Sequence, residues 1–410
     1  MNISRHTHIL FIGLASSLLL SACGGGGGGD SSTSEPVFAT KDELGAALFS
    51  DVNLSGDRTQ ACATCHNPDR AFIDDRLDSF GDIGAVSLGD DGTSLGDRNA
   101  PTAAYAAFSP DFTEGNRDRL NSDAGHYQGF IGGQFLDGRK LDLKGQAGGP
   151  PLNPIEMNMP DKASVVARLQ ENEDYVESFK SLYGEEIFDD VDAAYEAMTD
   201  SIAEFEKTEF FATFDSDYDR HINGEYDEYI LTKAGLGKAL FFSQEFTNCA
   251  TCHQLQPNSH PEETFSSYEY HNIGTPENTA IRAINNTPAD FVDNGLFDNP
   301  DTTDESHRGK FKVPTLRNVA VTEPYMHNGV FRDLKTVILF YDQFNNPDRS
   351  LNPETGAAWA DPEVPDTVNH TELAAPSLTD DEVEALVCFL RSLTDARYMH
   401  LIEEKGISCD

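Results

Sequence analysis

The chain has 410 residues, with 70 Asp and Glu against 29 Lys and Arg and a formal net charge of −41. That acidic excess excludes nucleic acid, which needs a basic footprint, and suits a solvated surface or the steering of a basic partner protein. The length beyond the N-terminal leader favours two domains over one.

Arg5 and the apolar run Ile9 to Leu20 begin the chain, and a run of twelve is too short to span a bilayer. Leu20-Ser21-Ala22-Cys23 resembles the lipobox of bacterial lipoproteins, which predicts a signal peptide over 1–22 and a lipid on Cys23. Gly24 to Gly29 and Asp30 to Ser34 predict a flexible Gly/Ser-rich tether over 23–39. The expectation is a body lipid-anchored on the periplasmic side of a bacterial membrane, the outer in preference to the inner.

Two stretches then repeat. Leu44-Gly45-Ala46-Ala47-Leu48-Phe49 matches Leu236-Gly237-Lys238-Ala239-Leu240-Phe241, and each precedes a Cys-Ala-Thr-Cys-His word: Cys62 to His66 and Cys249 to His253. Cys-x-x-Cys-His is the attachment signature of c-type haem. Cys62, Cys65, Cys249 and Cys252 would bind haem vinyl groups, with His66 and His253 as proximal iron ligands. A redox dithiol or half of a zinc site has no need of that histidine or of an identical Ala-Thr filling. The duplication predicts tandem haem domains over 40–220 and 221–410. Cys388 and Cys409 remain, and an oxidising compartment would let them pair if their geometry permits.

Apolar spacing predicts helices over 162–170, 192–211 and 380–393, the last with an acidic, capped start at Thr379-Asp380-Asp381-Glu382. Leu334, Ile338 and Tyr341 share one helical stripe, so Tyr341 should point inward. The expected fold is mainly α, two cytochrome c-like haem domains with long loops and little sheet.

An ordered set of words identifies a family. Arg98-Asn99-Ala100-Pro101-Thr102, Phe135-Leu136-Asp137-Gly138-Arg139 and Pro154-Ile155-Glu156-Met157-Asn158 lie between the haem words. Val313 to Ala320 and Pro324-Tyr325-Met326-His327-Asn328-Gly329 follow the second. Over residues 40–395 the chain resembles the bacterial di-haem cytochrome c peroxidases and their relative MauG. The resemblance implies two covalently bound haem c groups, with hydrogen peroxide meeting the N-terminal one and the C-terminal one relaying or storing oxidising equivalents. Glu156 matches the distal acid that moves a proton between the peroxide oxygens, and Gln146 matches a distal-pocket glutamine. A calcium ion is implied on the Asn99 side chain and the carbonyls of Thr322 and Pro324.

Three positions depart from the peroxidase pattern. No histidine occurs in 80–97, where peroxidases that need reductive activation carry one that blocks the peroxide-binding iron. His126, in a segment over 111–130 that looks inserted, is an alternative distal ligand weighed against a surface loop histidine. Tyr341 stands where the peroxidases place a methionine ligand to the second iron and MauG has tyrosine. Leu136 stands where the family commonly has a tryptophan between the haems, so MauG-like charge sharing would need another route.

The expected function is reduction of H2O2 to water at the N-terminal haem, with electrons relayed through the C-terminal haem from a donor protein such as a small cytochrome c or cupredoxin. The alternative is a MauG-like enzyme oxidising side chains of a partner protein through high-valent haem. A di-haem electron carrier or redox sensor is the second alternative.

Overall fold

Short helices, most opened by a side-chain cap, frame the chain. The computed structural model describes residues 37–118, 125–255, 263–405 and 409. The signal peptide, the Cys23 lipid site and most of the tether expected from the sequence therefore lie outside the described residues. In the first half run α1 (Lys41–Phe49), α2 (Cys62–Cys65), α3 (Leu143–Ala147), α4 (Lys162–Leu169), α5 (Glu173–Tyr183) and α6 (Val191–Glu206). The second half holds α7 (Asp217–Ile222), α8 (Lys233–Phe241), α9 (Cys249–Cys252), α10 (Thr279–Ile284) and α11 (Leu334–Asp342). It continues with α12 (His370–Leu373), α13 (Asp380–Arg391) and α14 (Met399–Glu404). Among the described residues the sheet amounts to two antiparallel pairs, β1 (Thr113–Arg117) with β2 (Tyr127–Ile131) and β3 (Tyr270–His271) with β4 (Phe311–Lys312). The architecture is mainly α with long connections, as expected.

The repeated Leu-Gly-x-Ala-Leu-Phe word is a helix crossing. It forms α1, opened by a capping box of Thr40 and Glu43, and α8, opened by Thr232 accepting from the Gly235 N–H at 3.1 Å. A Cβ on Gly45 would stand 1.9 Å from the Ser201 carbonyl oxygen in α6, and one on Gly237 would stand 1.9 Å from that of Ala385 in α13. Neither position admits a side chain, so the backbones of α1 and α6, and of α8 and α13, meet directly. The flanking residues then enter two apolar cores. One gathers Leu44, Leu48, Phe72, Met198 and Phe211; the other gathers Leu240, Phe241, Phe265, Ile338 and Phe389.

Helices α4 and α13 form close to their expected limits. Thr379 and Glu382 make the capping box that opens α13. The helix expected over 192–211 stops sooner, at Glu206. There Thr208 turns its hydroxyl back onto the Phe205 carbonyl at 2.7 Å, and Phe211 leaves the helical path to stack on Phe72 with centroids 4.3 Å apart. Packing against the loop after the first haem word outweighs the apolar periodicity.

Arg98 ties the halves together, donating to Asp137 at 2.6 Å and to Asp293 at 2.7 Å. Cys388 and Cys409 form a disulfide with Cα atoms 5.6 Å apart, which fastens residue 409 to α13. No described helix is long and apolar enough to cross a membrane.

Candidate functional site

Both haem words are single helical turns, α2 and α9, with the histidine immediately after. The His66 N–H donates to the Cys62 carbonyl and that of His253 to the Cys249 carbonyl, both at 2.9 Å. Each imidazole is then oriented by one more bond. His66 Nδ1 donates to the Phe72 carbonyl at 3.1 Å and His253 Nδ1 to the Phe265 carbonyl at 2.8 Å. Burial pushes both histidines down, His253 to about 4. A neutral ring that donates through Nδ1 presents the Nε2 lone pair, the form that binds a metal.

All four thiols are unpaired with one another. Burial first, with nearby negative charge, pushes Cys62 and Cys65 up to about 12. Reactive dithiols need the opposite shift. Paired buried thiols beside an oriented neutral imidazole fit covalent haem.

Phe72 and Phe265 were not singled out from sequence. Both hold left-handed backbone, φ 56° and 54°, a conformation bulky residues rarely adopt and which points to a functional constraint. They lie six and twelve residues beyond their histidines, so no common spacing announces them.

On the N-terminal side, the Glu156 carboxylate is near enough to Cys62 and Cys65 to act on both electrostatically. Asn153 donates to Glu156 Oε1 at 2.7 Å. Burial raises the Glu156 carboxyl above its ordinary value, against the pull of that bond and of the Arg139 charge. Arg139 is set by the Asp-Gly-Arg word: it donates to both Asp137 carboxylate oxygens at 2.9 Å and lies 3.7 Å over the Phe135 ring. The sequence reading quoted that word without assigning Arg139 a task. Gln146 lies in α3, whose following residue pair is anchored by the Tyr195 hydroxyl donating to the Gly148 carbonyl at 2.9 Å; Tyr195 in turn acts electrostatically with Cys62. Glu156 and Gln146 thus lie on segments that converge on the first haem word.

On the C-terminal side, Tyr341 in α11 is half-buried, and Cys252 and Cys249 act on it electrostatically. Burial pushes its phenol well up. Its hydroxyl makes no hydrogen bond among the described residues. Leu136 donates no aromatic ring, but its carbonyl accepts from the Lys312 N–H at 2.9 Å, which brings β4 alongside. There Phe311 stacks on His327 with centroids 3.7 Å apart.

His126 does not reach the first haem word. It is 78% exposed and pairs with Asp118, in a hairpin laid against the second half through the Ile131 to Glu269 bridge. The Asn99 N–H donates to the His327 carbonyl at 2.8 Å, a few residues beyond Thr322 and Pro324. Asn99 Nδ2 donates to the Ala85 carbonyl at 3.1 Å, leaving Oδ1 as an acceptor.

Residues 39–227 match the family described as di-haem cytochrome c peroxidase. The chain is 47% identical over 365 residues to the methylamine utilization protein MauG of Paracoccus denitrificans, covering 88% of this chain and 90% of that one. It is 33% identical over 295 residues to the cytochrome c peroxidase Ccp of Escherichia coli, covering 72% of this chain and 51% of that one. Among solved structures, the di-haem peroxidase BthA of Burkholderia thailandensis superposes with a TM-score of 0.71 at 29% identity, covering 87% of this chain and 86% of that one.

Proposed function

Because the chain belongs to the di-haem cytochrome c peroxidase and MauG family, we propose that it is a MauG-type oxidoreductase, taking H2O2 at the N-terminal haem without prior reduction and drawing electrons from side chains of a partner protein. The observation that carries this reading is Tyr341, a half-buried tyrosine beside both cysteines of the C-terminal haem word with its hydroxyl free of protein partners among the described residues. The absence of histidine from 80–97 and the 47% identity to MauG support it.

When bound, the two haems supply the redox chemistry with peroxide, which consumes two electrons and two protons for two waters. The chain's own residues manage the protons and the geometry. Glu156 takes a proton from the near oxygen of peroxide and returns it to the far one, the atom that leaves as water. Arg139 and Asn153 hold that carboxylate in place, and Gln146 donates a hydrogen bond toward the peroxide. Phe72 and Phe265 fix the two histidines through their carbonyls. Tyr341 would cap the C-terminal iron; a phenolate oxygen favours its oxidised forms, whereas a thioether raises the potential and favours Fe(II).

The test is stoichiometric H2O2 added to the purified diferric protein, followed by optical and Mössbauer spectra, alongside turnover with reduced cytochrome c. Reaction without prior reduction, persistence of the stored equivalents and negligible cytochrome turnover are expected. Six-coordinate low-spin iron at both haems would overturn it. Rapid cytochrome turnover would favour the second reading, a donor-protein peroxidase, for which the specific observation is Leu136 in place of the family's inter-haem tryptophan.

Two further parts belong to this proposal. Calcium sits on Asn99 Oδ1 and the carbonyls of Thr322 and Pro324; Asn99→Ala is expected to lower bound calcium by about one ion per chain on elemental analysis. The body is tethered on the periplasmic side through lipid on Cys23. Cys23→Ser is then expected to move the protein from the membrane to the soluble fraction of fractionated cells, and an unchanged distribution would remove the anchor.

A further inference from the structure

We infer that a row of alternating charges, Arg117, Glu269, His271 and Glu372, runs from the hairpin of the N-terminal half to the C-terminal haem, and that its last carboxylate, Glu372, holds down that haem's reduction potential. The inference needs only the family's attachment of haem to Cys252. It deepens the proposed function by giving the storage haem a second control besides Tyr341.

His271, in β3, and Glu269 are both buried. His271 Nε2 lies 3.1 Å from Glu269 Oε2 and Nδ1 lies 3.1 Å from Glu372 Oε2. Ionised carboxylates only accept, so a ring placed between two of them carries a proton on each nitrogen and is an imidazolium. The Asn369 side-chain amide lies 3.2 Å from His271 Nδ1, beside the Glu372 carboxylate, and the Tyr127 ring packs on the imidazole at 5.6 Å. At the far end, Arg117 in β1 acts electrostatically on Glu269 and donates to the Ser267 carbonyl. At the near end, Glu372 Oε2 lies 3.9 Å from Cys252 Sγ, the atom that becomes a haem thioether.

The donor atoms of Cys252, His271 and Glu372 also lie within 4.8 Å of one another, as a metal site would require. Haem attachment engages that sulfur, and each imidazole nitrogen already faces a carboxylate. The group therefore serves as an ion row. Its order sets the sign of the field at the haem: the closest charge is negative and in a low-dielectric surround, which favours ferric over ferrous iron. Glu372 is thus a positioning residue for electrons, touching neither iron nor substrate.

Spectroelectrochemical titration of the holoprotein tests this, with the N-terminal haem as internal reference. Glu372→Gln is expected to raise the potential of the C-terminal haem, shifting its Fe(III)/Fe(II) equilibrium about tenfold, which is about 59 mV for one electron. Arg117→Gln removes a positive charge from farther along the row and is expected to lower the same potential by a smaller amount. Glu372→Asp keeps the charge and is expected to stay near wild type, which guards against a glutamine variant that fails to fold. An unchanged potential in Glu372→Gln, or both neutralising variants moving it the same way as loosened packing would, overturns the inference. Either result with normal peroxide reactivity would leave the proposed function standing.

Discussion

Glu156→Gln is expected to slow the reaction with H2O2 by about 10²- to 10⁴-fold, the range a positioned acid–base group contributes, while both haems remain attached. The amide preserves the shape of the side chain and its bond with Asn153, but it cannot accept a proton from one peroxide oxygen and hand it to the other. The pH dependence carries a sign. Glu156 must be ionised to begin the shuttle, so the rate falls as pH drops through its pKa. Burial raises that pKa above 4.5, with Asn153 and Arg139 opposing. The wild-type acid limb is therefore expected above pH 4.5, and it should vanish in Glu156→Gln. Stopped-flow rates across pH check both points; a variant within threefold of wild type, or one that keeps the limb, would remove Glu156 from the proton path.

Tyr341→Met is expected to make the C-terminal haem easier to reduce, by on the order of 0.2 V within the roughly 0.8 V that axial ligands span. Replacing the phenol oxygen by a thioether sulfur at this place removes a potential anion, and methionine with histidine is the ligand pair of high-potential cytochromes. The stored oxidising equivalents should also decay faster. A potential that does not move, with both haems attached, would show that Tyr341 is only a core residue. Tyr341 is half-buried in α11 with its ring 6.0 Å from that of Phe340.

How much of this was legible in the sequence depends on how far apart the cooperating residues lie. The haem words are five residues long because one helical turn must bring two thiols and an imidazole to one cofactor. The place of Tyr341 on a helix was readable from the eight-residue stretch Leu334 to Tyr341, and the start of α13 from a four-residue capping box. The duplicated Leu-Gly-x-Ala-Leu-Phe word was visible too, yet its purpose was not, since the carbonyls that exclude a side chain at Gly45 and Gly237 belong to Ser201 and Ala385. The helix expected to reach Phe211 was cut short for the same kind of reason, a stacking partner at Phe72 far back in the chain.

The words expected to attach haem are thus short, because they need only neighbours along the backbone. The orientation of His66 and His253 by Phe72 and Phe265, the clamp of Arg139 by Asp137 beside Glu156, and the row from Arg117 to Glu372 exist only in the folded chain. Charges and dipoles act through space within a few ångströms, and residues as far apart in sequence as His271 and Glu372 come that close only when the helices have packed.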